Sequence, residues 1–462
     1  MTEAVIQGRR GPWRQIAAVS AAILGIALVV LISNPVWAFA VAAACLLIPA
    51  VLVRPAWGLY PLLVIIAVIP PEGVVGFLHY ELIPVDLFMM LFALLWAWHK
   101  GIAGQGVGIR TSPLLFPIAL IVFVRFLSAF AAPALIQSGL VSSLRYVEWL
   151  LVFLIVVDVA NGRDALQLLK VFLFIVAAQS LVSIAQASGS AALGGKVARG
   201  GTLGETGLLL AWLQVYAFLV GYALSHRAPT AGKRLAWAAY TGLIGLGLIS
   251  TLGRTAWVTV AVGLLAYYWL DRTASLASKI TRAAGDLVIA VVILGVLFAT
   301  DRLLIGLAVW RTATFASLGE QFSWVERLTL WRLGLDMFVH HPFLGVGTGN
   351  YSDLLGRIVG PEEARNTHNA IIGVLSETGL VGLATYLLFV SRVVTMVRRD
   401  LRTLTESPLY SFLLPLGSAI VALLFADWVG WTSFVVWSML FLGLYVVLAR
   451  EARLGGAHGR HV

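Results

Sequence analysis

"RNTHNAIIGVLSETGLVG", residues 365–382, begins with charge and amide groups and ends in residues that belong in lipid. After Asn369 the run is that of an apolar helix, interrupted by one carboxylate, Glu377, and by Gly379 and Gly382. Such a stretch reads as the boundary where an extramembrane segment becomes a membrane span. His368 stands at that threshold. Its chemistry depends on which side of the membrane it faces and on what else gathers there.

The rest of the chain supports the membrane reading. Of 462 residues, 60% are hydrophobic and 12% charged, with a mean hydropathy of +0.93, whereas soluble domains keep about a quarter of their residues charged. Helices satisfy their own backbone polar groups in lipid. The expected fold is therefore an all-α polytopic membrane protein, a single transmembrane bundle over residues 1–462. A span needs about 20 apolar residues, fewer where flanking side chains snorkel. Candidate spans lie near 16–33, 36–53, 57–70, 84–98, 113–130, 140–158, 166–184, 207–225, 235–250, 255–270, 285–300, 369–391, 408–425 and 430–449. Two of the first three are short or weakly separated, so the alternatives are 12 and 14 spans, and either puts both termini on one side. "RRGPWR" ahead of 16–33 resembles a signal peptide. The apolar run is long for a cleaved segment, and "AAAC" (42–45) lacks the leucine of a lipobox, so an uncleaved first span is the preferred reading. Cys45, the single cysteine, excludes an intrachain disulfide and a cysteine metal cluster.

A net charge of +10 raises the question of nucleic acid. The basic residues instead sit in short loops between apolar runs, not along one stripe, which argues against a nucleic-acid partner. The bias of Lys and Arg between alternating loops orients the chain. With a cytoplasmic N-terminus, 21 of the 32 Lys and Arg fall on or beside the cytoplasmic face, including those of "SHRAPTAGKR" and "SRVVTMVRRDLR". The other face holds residues 70–82, 187–205, the tight turn "STLGRT" (250–255) and one large loop, 301–367. Within that loop Trp324, Leu328, Trp331, Leu335 and Phe338 recur at helical spacing and predict an amphipathic helix at the headgroup layer. Pro342 and the glycines of "HHPFLGVGTGN" end it.

Arginines collect on the outer face against the general bias. Arg199, Arg254, Arg327, Arg332 and Arg365 map there, and Arg125 and Arg145 lie within apolar helices near it. Charges at that depth face a partner or a water-filled cavity, because exposure to lipid costs roughly 2.5–3.5 kcal/mol even on insertion scales. Glu148, one turn beyond Arg145, is a candidate structural partner. Arg254 is held at a helix entrance by a short turn, where its planar fork matches phosphate oxygens; the plain alternative is an interfacial arginine that snorkels. Arg199, flanked by glycines in "VARGGTLGET", precedes a helix N-terminus suited to anions, or is simply a loop arginine. Arg125, Arg145, Arg327, Arg332, His341 and Asn369 are the further candidates for substrate contact. His368 titrates near neutrality and can take a proton from a hydroxyl nucleophile, although a histidine at a helix start is more commonly a cap or surface residue. Gly379 and Gly382, three apart, predict close helix contact behind it. Glu377 is a candidate for structural pairing.

His-Asn, nine residues, then Gly-x-x-Gly resembles the signature of the O-antigen ligase superfamily of bacterial inner-membrane glycosyltransferases. "HHPFLGVGTGNY" is similar to the family's Gly-rich segment before the histidine. "STLGRTAW" resembles its arginine turn with Gly253 in place of the usual serine, and "ARGGTLGE" its upstream arginine region. The resemblance spans about 195–390 and implies a GT-C-type bundle of about 12–14 transmembrane helices with one large periplasmic loop over the active site. It implies metal-independent glycan transfer, without a cofactor, from an undecaprenyl-diphosphate-linked donor to lipid A-core, or in polymerases to a lipid-linked glycan acceptor. His368, Arg254 and Arg199 would be catalytic, in a multi-pass protein of the inner membrane with both termini cytoplasmic and membrane lipids around it. A transporter of lipid-linked glycan and an assembly scaffold are rival readings. A transporter predicts substrate groups near the midplane and inverted repeats, whereas here the candidates gather at one face.

Overall fold

Apolar runs broken by glycine, proline and polar clusters become helices, and nearly all regular structure in the described residues is helical. The computed structural model describes residues 48–70, 75–77, 80–102, 112–193, 200–203, 207–251, 253–285, 318–359, 367–429 and 436–458. The expected span at 16–33 lies outside these, as do nearly all of 285–300 and most of 36–53.

The chain divides into two compact units, residues 1–62 with 88–109 and residues 63–87 with 110–462. Helices α1 (Leu59–Val68) and α2 (Pro84–Ile102) each contribute to both. In the smaller unit the 3-10 turn Pro55–Gly58 packs under Phe92: a Cβ on Gly58 would stand 2.4 Å from that ring. His99 Nδ1 lies 2.8 Å from the carbonyl of Leu52.

The larger unit begins with a short antiparallel hairpin, β1 (Val75–Phe77) and β2 (Tyr80–Leu82), in which Val75 pairs with Leu82. There follow α3 (Leu115–Ala131), α4 (Ile136–Val159), α5 (Gly162–Leu193), α6 (Leu208–Arg227), α7 (Ala231–Ser250), α8 (Arg254–Leu270), α9 (Leu318–His340), α10 (Asn350–Val359), α11 (Ala370–Thr403), α12 (Tyr410–Val429) and α13 (Val436–His458). Helix α6 packs against α5, α7, α8 and α12. It is apolar on every side and buried from Leu210 to Ala217, as expected of a helix with neighbours all round. Tyr216 of α6 stacks on Phe441 of α13 with ring centroids 4.2 Å apart, and Phe172 of α5 meets the same ring edge-on. Helices α3, α4 and α11 pack beside one another, α3 against both others.

Among the described residues five helices are long and apolar enough to cross a membrane: Ile136–Val159, Gly162–Ala187, Leu208–Arg227, Ala370–Thr403 and Tyr410–Trp428. Shorter apolar helices cover Pro55–Val68, Leu115–Ala131 and Thr255–Leu270. The protein is an all-α polytopic membrane protein. One boundary differs from expectation. "SRVVTMVRRDLR", read from its charge as loop, is the last third of α11. Val393, Met396, Val397 and Leu401 are buried on one side while Arg392, Arg399 and Arg402 are exposed, so the helical period survives the charge.

Candidate active site

Helix α11 is broken. Gly379 has φ +63° and ψ −158°, a conformation open to glycine and costly for other residues. The segment 342–347 lies in the break and completes its hydrogen bonds. Leu380 N donates to Pro342 O (2.8 Å) and Val381 N to Phe343 O (3.3 Å), while Val346 N donates to Ser376 O (2.8 Å) and Gly347 N to Glu377 O (3.1 Å). A Cβ on Gly379 would stand 2.4 Å from the Phe343 carbonyl carbon, and one on Gly345 2.3 Å from that of Glu377. Ser128 Oγ of α3 bridges Leu344 O and Glu377 O at 2.8 and 2.6 Å, and Thr348 Oγ1 donates to Arg125 O at 2.8 Å. Gly379 was expected to admit a neighbouring helix. It admits a loop instead, because only an irregular segment can supply both the donors and the acceptors that a helix break leaves unmatched.

The turn before α11 is built as carefully. His368 adopts φ +51°, the only non-glycine residue with positive φ among those described. Asn369 is the cap: its Oδ1 accepts from Ile371 N (3.0 Å) and Ile372 N (3.1 Å), and its Nδ2 donates to Trp428 O (3.0 Å). Thr367 Oγ1 donates to Asn369 O at 2.8 Å, and Trp331 Nε1 of α9 donates to Thr367 O at 2.9 Å. Asn369, a candidate for substrate contact, thus has its amide engaged at both ends in holding the turn. Capping does not fall to His368.

Beside this turn and the break lies a chamber of about 680 Å³, walled by α3, α4, α6, α10 and α11. Arg125 and Arg145 both reach it, as do Thr367 and Ala370 from either side of the His368–Asn369 turn. Arg125 is 7% exposed, pairs with Glu377 at 2.6 Å and lies over the Tyr146 ring, 4.4 Å from its centroid. That satisfies the sequence expectation of a partner for Glu377. Arg145 Nη2 stands 3.8 Å from Asp86 Oδ2, and Glu148 interacts electrostatically with both. Asp86, Asp353, Tyr146, Trp149 and Trp437 also line the chamber. None of these five stood out in the sequence. A polar residue at a helix start, such as Asp86, is ordinarily a cap, and Asp86 does accept from Ile83 N at 3.0 Å.

The turn that carries Arg254 comes close to the same chamber. A Cβ on Gly207 would stand 2.9 Å from Thr251, and one on Gly253 3.3 Å from the Ala211 side chain, while Leu208, Leu209 and Trp212 line the chamber. Arg254 is the first residue of α8; its side chain, and the whole of Arg199 and Arg365, lie outside what is described. Arg327, Arg332 and His341 are not among the residues that line the chamber. Arg327 is half-buried on α9, and Arg332 and His341 are exposed. The stripe of α9 that packs on the protein is not the apolar face expected at the headgroup layer. Leu330, Leu333 and Met337 pack with Tyr351 and Leu355, and Gly334 meets Ile372, whereas Leu328 and Leu335 are 57% and 44% exposed. Both sides of α9 are apolar, so period alone did not say which would face inward. Tyr351 donates to Leu330 O at 2.8 Å, and burial pushes its phenol up to about 12.

Fold and site together define a multi-pass helical membrane protein with a polar chamber beside a broken helix. Residues 239–387, which run from α7 through the break in α11, match the family model described as O-Antigen ligase. That match covers about a third of the chain and supports, through this region, a relationship to the O-antigen ligases and polymerases. A search of curated proteins found no match.

Proposed function

We propose that this protein is an O-antigen ligase-type glycosyltransferase that moves a glycan from undecaprenyl diphosphate to lipid A-core on the periplasmic face of the inner membrane. One observation carries the reading. The His368 turn, the start of the Arg254 helix and two intramembrane arginines converge on one chamber, and both the turn and the helix start lie in the family-matched region. As the glycosidic bond breaks, negative charge develops on the departing diphosphate. Arginines fixed in place before the reaction stabilise such charge where water is scarce, a role assigned here to Arg254 and Arg199. His368 accepts or orients the proton of the attacking hydroxyl. The charge bias of the loops supports assigning this side to the outside of the cytoplasm.

A polymerase of the same superfamily, with a second lipid-linked glycan as acceptor, is the alternative that the family match supports equally. A broken helix beside a polar chamber also suits a transporter. The test is transfer of glycan from purified lipid-linked donor in liposomes. Transfer to lipid A-core supports the ligase, chain extension on the carrier supports the polymerase, and movement of donor between leaflets without a new glycosidic bond overturns both.

A further inference from the structure

One face of α5 carries three polar side chains, Gln179, Ser183 and Gln186, set four and three residues apart. That spacing stacks them on one side of a helix. Gln186 pairs with Gly201 as a neighbouring strand would. Its Oε1 accepts from Gly201 N at 3.1 Å, and its Nε2 donates to Gly201 O at 2.8 Å. Gln179 Oε1 accepts from Thr202 N at 2.9 Å, while its Nε2 donates to Thr202 Oγ1 at 2.5 Å and to Ala67 O of α1 at 3.0 Å. Thr202 Oγ1 in turn donates to Val68 O. The segment held in this way, 200–203, follows Arg199 directly in sequence. Ser183 reaches the other arginine turn. Its Oγ lies 2.8 Å from Ser250 Oγ, and because Ser250 donates to Gly247 O at 2.7 Å, Ser183 is the donor. Ser250 opens the turn that leads to Arg254.

Amides and hydroxyls inside an apolar bundle cost free energy unless they are matched. Here the matches come from loop backbone and from the last carbonyls of α1, which a helix end leaves without partners. Gln179 is buried and commits both of its N–H donors as well as its carbonyl oxygen. The fit leaves no slack: Gly201 has φ +65°, and a Cβ on it would stand 2.2 Å from Gln179 Oε1. The two arginine turns therefore share one base. Fixing a loop before its ligand arrives removes the cost of ordering it on binding.

We infer that Gln179, Ser183 and Gln186 are positioning residues, which fix the Arg199 and Arg254 turns relative to each other through one helix face. This rests on the function proposed above, in which those arginines act together. Binding of undecaprenyl diphosphate to the full-length protein in nanodiscs is measured for the wild type, Gln186→Met, Arg199→Ala and the double variant. Methionine is close to glutamine in length and makes neither hydrogen bond. Gln186→Met is expected to weaken binding about tenfold, the worth of the charge-assisted hydrogen bond that a displaced Arg199 forfeits. It should add nothing to Arg199→Ala, because residues that act through one group are not additive. An equal loss in both backgrounds would assign the glutamine to packing alone and overturn the inference, as would wild-type affinity in Gln186→Met. Ser183→Ala, which deletes a single hydroxyl, is set against Arg254→Ala in a second cycle, and the same outcomes decide it. Wild-type affinity in Arg199→Ala or Arg254→Ala also overturns the inference, since the stripe would then have nothing to position, while glycan transfer in liposomes still judges the proposed function. Failure of the wild type to bind the carrier removes that function and this inference with it.

Discussion

Arg125 and Glu377 stand 252 residues apart in sequence and 2.6 Å apart in the protein. Their pair ties α3 to α11 immediately before the break at Gly379, and Ser128, one turn along α3 from Arg125, holds the Glu377 carbonyl as well. Side-chain exposures of 9% and 18% leave little water to screen the pair. Breaking such a pair by removing one partner typically costs about 3–5 kcal/mol, because the other charge is left buried alone. Glu377→Gln and Arg125→Leu should each lower the thermal unfolding temperature in detergent strongly. The double variant Arg125→Leu/Glu377→Leu should recover much of the loss. No recovery would mean that the two residues act separately.

Asn369 caps α11, and the proposed chemistry falls to its neighbour His368. Asn369→Ala removes a cap with two backbone hydrogen bonds and should destabilise by roughly 0.5–2 kcal/mol. His368→Asn should leave the unfolding temperature nearly unchanged, since asparagine tolerates a positive φ of this kind. It should nonetheless cut glycan transfer by about 10²–10⁴-fold, the usual worth of general-base assistance. Both are read by pairing melting curves with a transfer assay. Near wild-type transfer by His368→Asn would leave this histidine without a catalytic role.

Gly379 offers a sharper structural test than its motif partner Gly382. In Gly379→Ala a methyl group must displace the backbone of Phe343 while the residue keeps a positive φ. Backbone strain of this kind costs on the order of 1–3 kcal/mol before the clash is added. A marked fall in the yield of monodisperse protein is expected. At Gly382 the nearest atoms belong to the Thr378 side chain, which can rotate, so Gly382→Ala should be the milder change. Size-exclusion profiles and melting curves of the two variants decide the order.

Arg254→Lys keeps the charge at the start of α8 and loses the bidentate fork. Transfer should fall by at least about tenfold, the equivalent of a charge-assisted hydrogen bond, with normal insertion in the membrane. Full activity in Arg254→Ala would remove the diphosphate role.

Sidedness is tested with single cysteines in a Cys45→Ala background. Val339→Cys, at an exposed position near the end of α9, should react with an impermeant thiol reagent in spheroplasts. Ser275→Cys, in the loop after α8, should not. Labelling of Ser275→Cys alone reverses the topology and takes the candidate site off the periplasmic face.

Composition and apolar period determined the membrane class, most helix positions and the threshold where His368 stands. These are local properties: a run of apolar residues is a span whatever surrounds it, and charge bias orients it loop by loop. The motif around His368 and Gly379 carried the resemblance to the O-antigen ligase family, and it lies within the matched residues 239–387. Tertiary structure decided what those residues do. Gly379 was legible as a special position, but its use as a helix break filled by the segment 342–347 depends on hydrogen bonds between elements distant in sequence. The capping role of Asn369 and the inward stripe of α9 depend likewise on Trp428, Trp331 and Tyr351, each from another element. Arg125 and Arg145 announced themselves as costly charges, while their partners Glu377 and Asp86 could be chosen only by packing. A buried charge says that a partner must exist; only the fold brings one of the chain's carboxylates within reach.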